Sequence, residues 1–137
     1  MAKASELLGD RWSLLILREA FYGVVRFADM QADIGVPRSI LTGRLAKLVE
    51  AGLLERFDYK EDGARARQAY RLTERGRGLA VVLLAMKQWW DEGDPDGASV
   101  SFVPDGGEEP VRIAMVDAFG REVRLGDIRL RVDPPPG

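Results

Sequence analysis

The sequence predicts a mainly α-helical fold with one small β hairpin and a short β appendage behind it. Three observations carry that reading. Apolar residues recur at helical spacing through most of residues 1–92, punctuated by glycines and capping residues. Two strand-like segments around Gly63 interrupt that pattern. A stretch rich in Gly, Asp and Pro at 93–107 then separates a second region of alternating residues. With 137 residues, 46% hydrophobic and 31% charged, the chain has the apolar material for one small core and no excess of charge that would keep it unfolded.

Residues 1–8 form a short helical piece ended by Gly9. Asp10 is placed to cap a helix from Arg11, with Trp12, Leu15, Ile16, Glu19 and Ala20 on one stripe and Leu14, Leu17 and Phe21 on another, so that it is buried on more than one side. Gly23 ends it. A second short helix, 26–34, spaces Phe27, Met30, Gln31 and Ile34 by three and four and closes at Gly35. Pro37 suits the first turn of a third helix running to about Ala51, with Leu41, Leu45, Leu48 and Val49 inside and Arg38, Ser39, Thr42, Gly43, Ala46 and Lys47 outside. Residues 53–59 and 67–72 read as the strands of a hairpin with a charged tip at 60–66. Thr73 caps a last helix to Gly93, whose stripe of Leu79, Val82, Leu83, Met86, Trp89 and Trp90 is too broad for one small core and predicts burial against a second subunit. Val111, Ile113 and Met115, and later Ile128, Leu130 and Val132, alternate with polar or small residues and predict two or three short antiparallel strands. The expected organisation is therefore 1–92 as the main domain with terminal dimerisation helices, 93–107 as linker, 108–133 as β appendage and 134–137 as a disordered tail.

Composition narrows the chemistry. Cysteine and histidine are both absent, which removes disulfides, thiolate nucleophiles, imidazole bases and Cys/His zinc sites from these residues. No carboxylate pair has a recognisable ligand spacing and no glycine loop cradles a phosphate, so neither an enzyme nor a cofactor is expected. No apolar run reaches the ~18 residues that cross a bilayer, and residues 1–10 lack the pattern of a signal peptide; a cytoplasmic protein without a membrane partner is expected. The net charge is −2, but it is uneven. Residues 1–92 hold 15 basic and 13 acidic side chains, residues 93–137 hold 5 and 9, and the segment 38–77 holds 10 and 6, net +4. Positive charge gathered in mid-chain suits a nucleic-acid partner.

Helix, helix, glycine turn, helix with a small and basic outer face, then hairpin: this order is a winged helix-turn-helix, a DNA-binding arrangement. Arg38 and Lys47 can reach phosphates or guanine edges, and Ser39 and Thr42 can bond to bases. Arg65 and Arg67 at the wing tip have no obvious internal partner. Arg44 and Arg56 face both ways, each able to clamp a phosphate or pair with a carboxylate such as Glu50 or Glu55. Trp12, Phe27, Trp89 and Trp90 read as core or dimer packing rather than as an aromatic cage for a ligand.

Leu8-Gly9-Asp10-Arg11-Trp12 with Leu15-Ile16-Leu17-Arg18, Gly23 followed by Arg26-Phe27, and Leu41-Thr42 with Arg44-Leu45 add a further signal. With Leu48-Val49-Glu50-Ala51-Gly52-Leu53-Leu54-Glu55-Arg56 and Tyr70-Arg71-Leu72-Thr73-Glu74-Arg75-Gly76, they make residues 5–90 resemble the bacterial HxlR group of winged helix-turn-helix regulators. The resemblance implies a sequence-specific transcription regulator that binds a pseudo-palindromic operator in double-stranded DNA as a homodimer, with the terminal helices in the subunit contact. The DNA-contacting set expected is Arg26, Arg38, Ser39, Thr42, Arg44, Lys47, Arg65 and Arg67, of which the wing residues Arg65 and Arg67 rest on charge and position and not on the resemblance. An unidentified small-molecule effector is left open as a further partner.

The chain also departs from the group. Many members carry a cysteine just before the first helix, in some a redox sensor; that position would precede Met1, and the chain has no thiol. The Pro-Pro-Arg common in the group's wing is replaced by Asp62-Gly63-Ala64-Arg65-Ala66-Arg67. Residues 93–137 exceed the compact core of the group. The rival reading from another class is a winged helix serving as a protein-interaction module, with the acidic C-terminal region docking a partner.

Overall fold

Asp10 sets the first long helix in place. In a computed structural model, which describes residues 1–94 and 100–133, its carboxylate accepts from the Ser13 backbone N–H at 3.0 Å and caps α2 (Arg11–Phe21). A short α1 (Ala2–Leu8) precedes it. α3 (Phe27–Ile34) ends at Gly35, whose φ of 71° is the left-handed conformation that a side chain would strain. Then come α4 (Arg38–Glu50), β1 (Leu54–Tyr59), β2 (Arg67–Leu72), α5 (Glu74–Arg77) and α6 (Ala80–Gly93). Pro37 is the cap residue before α4 rather than its first turn.

The chain divides into two compact units, Met1–Leu83 and Leu84–Gly137. In the first, Ile16 and Leu17 of α2, Met30 of α3, and Leu41, Leu45 and Leu48 of α4 are fully buried together with Leu54 at the start of the hairpin. Each such side chain contributes roughly 1.5–3 kcal/mol on leaving water, so the three-helix packing and the hairpin root are fixed by the same cluster. β1 and β2 are antiparallel, with Leu54 opposite Leu72 and Tyr59 opposite Arg67. The far side of β2 pairs briefly with the chain before α3: Arg26 bridges Ala69, and the Tyr70 N–H donates to the Val25 carbonyl at 2.8 Å. That bridge ties the entry of the helix-turn-helix to the wing.

The single helix expected from Thr73 to Gly93 is instead two, α5 and α6, parted at Gly78 and Leu79. Thr73 caps α5 by accepting from the Gly76 N–H at 3.0 Å. Gly76 lies so close beneath the first strand that a Cβ there would sit 2.0 Å from the Leu53 carbonyl oxygen. Two glycines within three residues weaken the helix, and the close approach at Gly76 fixes where the chain runs.

In the second unit, the β appendage expected over 108–133 is corrected: among the described residues it holds one bridge, Val116 to Glu122, and one 3-10 turn, Leu125–Asp127, with no strand. Side chains have taken the backbone groups that strands would pair. The Gln88 amide accepts from the Ile113 N–H at 2.8 Å and donates to its carbonyl at 3.1 Å. The Asp117 carboxylate accepts from the N–H groups of Phe119 at 2.8 Å and Arg121 at 3.0 Å. Such local bonds compete directly with a ladder. Residues 95–99 of the linker expected over 93–107, and the whole of the tail expected over 134–137, lie outside the described residues.

Candidate nucleic-acid interface

The periodicity of α4 decides what it shows. Leu41, Leu45 and Leu48 turn into the core, which leaves Arg38, Ser39, Thr42, Gly43 and Ala46 exposed. None is acidic, and the first carboxylate on α4 is Glu50 at its last residue. Apart from Arg38, the side chains are short enough for the helix backbone to approach another surface closely. Thr42 donates its hydroxyl proton to the Arg38 carbonyl at 2.9 Å, so the oxygen is left to act as an acceptor. The Arg38 guanidinium stands 5.2 Å over the Phe27 ring, so the start of α4 is braced on α3.

Beside this face lies an open groove of about 460 Å³ between the beginnings of α3 and α4 and the hairpin. Arg26, Arg38, Arg65 and Arg67 line it against two carboxylates, Asp29 and Glu61. Arg65 and Arg67 are exposed, and among the described residues neither has an ion-pair partner. Arg26 is held. Its Nη2 donates to the Tyr59 hydroxyl at 2.5 Å and to the Glu61 carboxylate, its guanidinium lies 4.5 Å over the Tyr59 ring, and Asp29 is 3.9 Å away. Tyr59 and Glu61 had no mark in the sequence as site residues. Their only signal was the flanking of the wing loop, and the tie from Arg26 to Glu61 spans 35 residues.

Two expected DNA-contacting residues are engaged elsewhere. Arg44 Nε donates to Asp10 Oδ1 at 3.0 Å, and Lys47 Nζ donates to the Glu6 carbonyl at 2.7 Å. Both lie on the flank of α4 that meets α1 and α2. Burial pushes the Asp10 carboxyl up, but the Ser13 N–H and hydroxyl and the Arg44 guanidinium outweigh it and bring the pKa from 3.8 down to about 2. In this structure the carboxylate that Arg44 meets is Asp10 rather than Glu50. Arg56 lies 5.9 Å from the Tyr70 ring, and Glu55 pairs with Arg71 across the hairpin at 2.7 Å.

The apolar stripe of the last helix also divides. Leu79 and Leu83 pack on the core of the first unit. Val82, Met86, Trp89 and Trp90 stay exposed, Trp89 by 73% and Trp90 by 62%. Among the described residues, no group of His, Cys, Asp and Glu could hold a metal ion, and no helix is long and apolar enough to cross a membrane.

The family model of the HxlR-like helix-turn-helix matches residues 7–96. The chain belongs to the HxlR-like family. The uncharacterized HTH-type transcriptional regulator Rv3095 of Mycobacterium tuberculosis is 49% identical over 92 residues, covering 67% of this chain. The chain spans only 57% of the length of that relative. The uncharacterized HTH-type regulator sll1512 of Synechocystis is 40% identical over 82 residues, 59% of each chain. Among solved structures, PA1607, described as a candidate transcription factor, superposes with a TM-score of 0.83 at 34% identity, over 96% of this chain and 93% of its own. The reduced form of the regulator YodB of Bacillus subtilis gives 0.59 at 31% identity, over 72% and 95%. The family and these relatives are regulators of transcription, and the match to PA1607 extends beyond the 92 residues shared with Rv3095.

Proposed function

We propose that this HxlR-family chain binds double-stranded DNA as a homodimer on a pseudo-palindromic operator, reading bases with α4 and anchoring on phosphates with the wing. The observation that carries this reading is the acid-free exposed face of α4 beside a groove lined by four arginines. A major groove about 12 Å wide admits a helix whose outer side chains are short. Arg38, Ser39 and Thr42 supply one long donor and two hydroxyls for base edges. Arg65 and Arg67 supply cations that meet a phosphate whatever the base. Arg44 and Lys47 are assigned to the scaffold that presents α4.

Dimerisation is assigned to the exposed surface of Val82, Met86, Trp89 and Trp90, because large apolar groups left in water on one helix are stabilised by a second copy that covers them. The C-terminal region, net −4, is assigned no role at the DNA because it repels phosphate. The expected place of action is the bacterial cytoplasm. A mobility-shift titration with genomic fragments adjoining the gene tests the reading. Ser39→Ala and Thr42→Ala should weaken the retained fragment by roughly 1–3 kcal/mol for each base no longer read, while leaving random DNA nearly unchanged. Equal weakening on both DNAs would move readout away from α4.

A further inference from the structure

The groove contains one arginine that is already neutralised. The backbone of Arg26 is fixed twice, by its bridge to Ala69 and by the first turn of α3, where the Met30 N–H donates to its carbonyl at 3.0 Å. Tyr59 fixes the side chain, through the hydroxyl at 2.5 Å and the ring at 4.5 Å. The anion is held far less firmly. Glu61 is 55% exposed and belongs to the wing loop that turns at Gly63, and its carboxylate meets only Arg26 and the Tyr59 hydroxyl among the described residues. The cation is thus built into the fold and the anion is detachable.

We infer that Glu61 is a placeholder for a DNA phosphate, which displaces its carboxylate from Arg26 when the wing engages the duplex. The inference rests on the DNA-binding reading above and adds a regulatory element to the same site. A phosphate offers the same acceptor chemistry to the guanidinium, and an exposed ion pair of this kind is weak enough to exchange. Tyr59 keeps Arg26 aimed into the groove after the exchange, and Arg38, Arg65 and Arg67 surround the incoming phosphate. The exchange makes non-specific affinity lower than four arginines alone would give.

The salt dependence of binding reads this directly. A cation that captures a phosphate releases about 0.9 of a counterion from duplex DNA. A lone surface carboxylate condenses no counterion, so an Arg26 that has exchanged Glu61 for a phosphate adds its full share to the wild-type slope, whereas an Arg26 that stays paired adds none. In Glu61→Gln, affinity for a random duplex should rise about two- to thirtyfold for a dimer, the range for two ordinary surface pairs. The slope of log K against log salt in Glu61→Gln should stay at the wild-type value, and Arg26→Gln/Glu61→Gln should flatten it by about 0.9 per half-site. Asp62→Asn, which removes a neighbouring wing carboxylate outside the pair, should raise affinity by much less than Glu61→Gln.

Circular dichroism confirms that each variant is folded. A Glu61→Gln slope steeper than that of the wild type by about 0.9 per half-site, which would show that Arg26 stays paired in the wild-type complex, a loss of affinity, or an equal gain from Asp62→Asn overturns the placeholder role while leaving the DNA-binding reading intact. A wild-type protein that binds no duplex at low salt overturns both.

Discussion

Asp10→Asn tests how α4 is held against α2. Asparagine caps a helix about as well as aspartate, so the Ser13 N–H keeps its acceptor while the charge facing Arg44 is removed. The Asp10 pKa of about 2 against 3.8 corresponds to an upper limit of about 2.4 kcal/mol at neutral pH. Its side chain is 29% exposed, and solvent screening brings the expected loss to on the order of 1–2 kcal/mol. A lowered carboxylate pKa stabilises the fold fully above the unfolded value and ceases to do so as pH falls through the folded one. The gap between wild type and Asp10→Asn should therefore be constant above about pH 5, shrink to about half by pH 3 and vanish below pH 2. Urea unfolding at stepped pH measures it. Asp10→Ala should lose about 1 kcal/mol more, the usual contribution of a cap. Arg44→Gln should lower stability with DNA affinity within twofold of wild type. A gap that persists well below pH 2 refutes a charge effect at Asp10, and an Arg44→Gln protein of full stability that binds DNA tenfold more weakly refutes the assignment of Arg44 to the scaffold.

Three further outcomes are expected. Arg65→Ala with Arg67→Ala should weaken operator and random DNA about equally and flatten the salt slope by ~0.9 for each phosphate no longer bound in a half-site, measured by fluorescence anisotropy at stepped salt. Gly76→Ala should cost about 3 kcal/mol or more in denaturant unfolding, because its Cβ would meet the Leu53 carbonyl oxygen at 2.0 Å and backbone has to move; a cost below about 1 kcal/mol would show that the segment yields easily. Trp89→Ala should raise the dimer dissociation constant by about tenfold or more in sedimentation equilibrium, with little change in the unfolding of the monomer, since the ring is 73% exposed in a single chain.

The elements that the sequence makes legible are those whose boundaries are local. Asp10 caps α2, Gly35 stops α3, and the strand 67–72 is found with the expected bounds, because a cap, a left-handed turn and an alternating run depend on residues within one or two turns of each other. The break between α5 and α6 follows two glycines that the sequence does show, but the packing of Gly76 on the Leu53 carbonyl is an approach across 23 positions that no helical period encodes. The appendage shows the converse. Alternation marks residues able to form strands, but a strand exists only where another backbone pairs with it, and here Gln88 and Asp117 answer the backbone instead.

The same distinction governs the interface. Segment 38–77 contains ten basic residues, and its net +4 points to an anionic partner. Net charge is additive, however, while availability is not. Arg44 is taken by Asp10, Lys47 by the Glu6 carbonyl, Arg71 by Glu55, and Arg77 donates to the Leu72 carbonyl at 3.3 Å. Of the other six, Arg38, Arg65 and Arg67 line the groove, Arg56 lies by the Tyr70 ring, and Lys60 and Arg75 are exposed, while Arg26 enters the groove from outside the basic segment with a carboxylate attached. Helical period alone put Lys47 on the outer face of α4. Only the arrival of the end of α1, 41 residues earlier in the chain, turns that flank into an internal contact. Which cations stand unpaired at the groove is thus set by contacts between elements distant in the chain. On the proposal above, a single wing carboxylate, Glu61, sets how strongly Arg26 takes part.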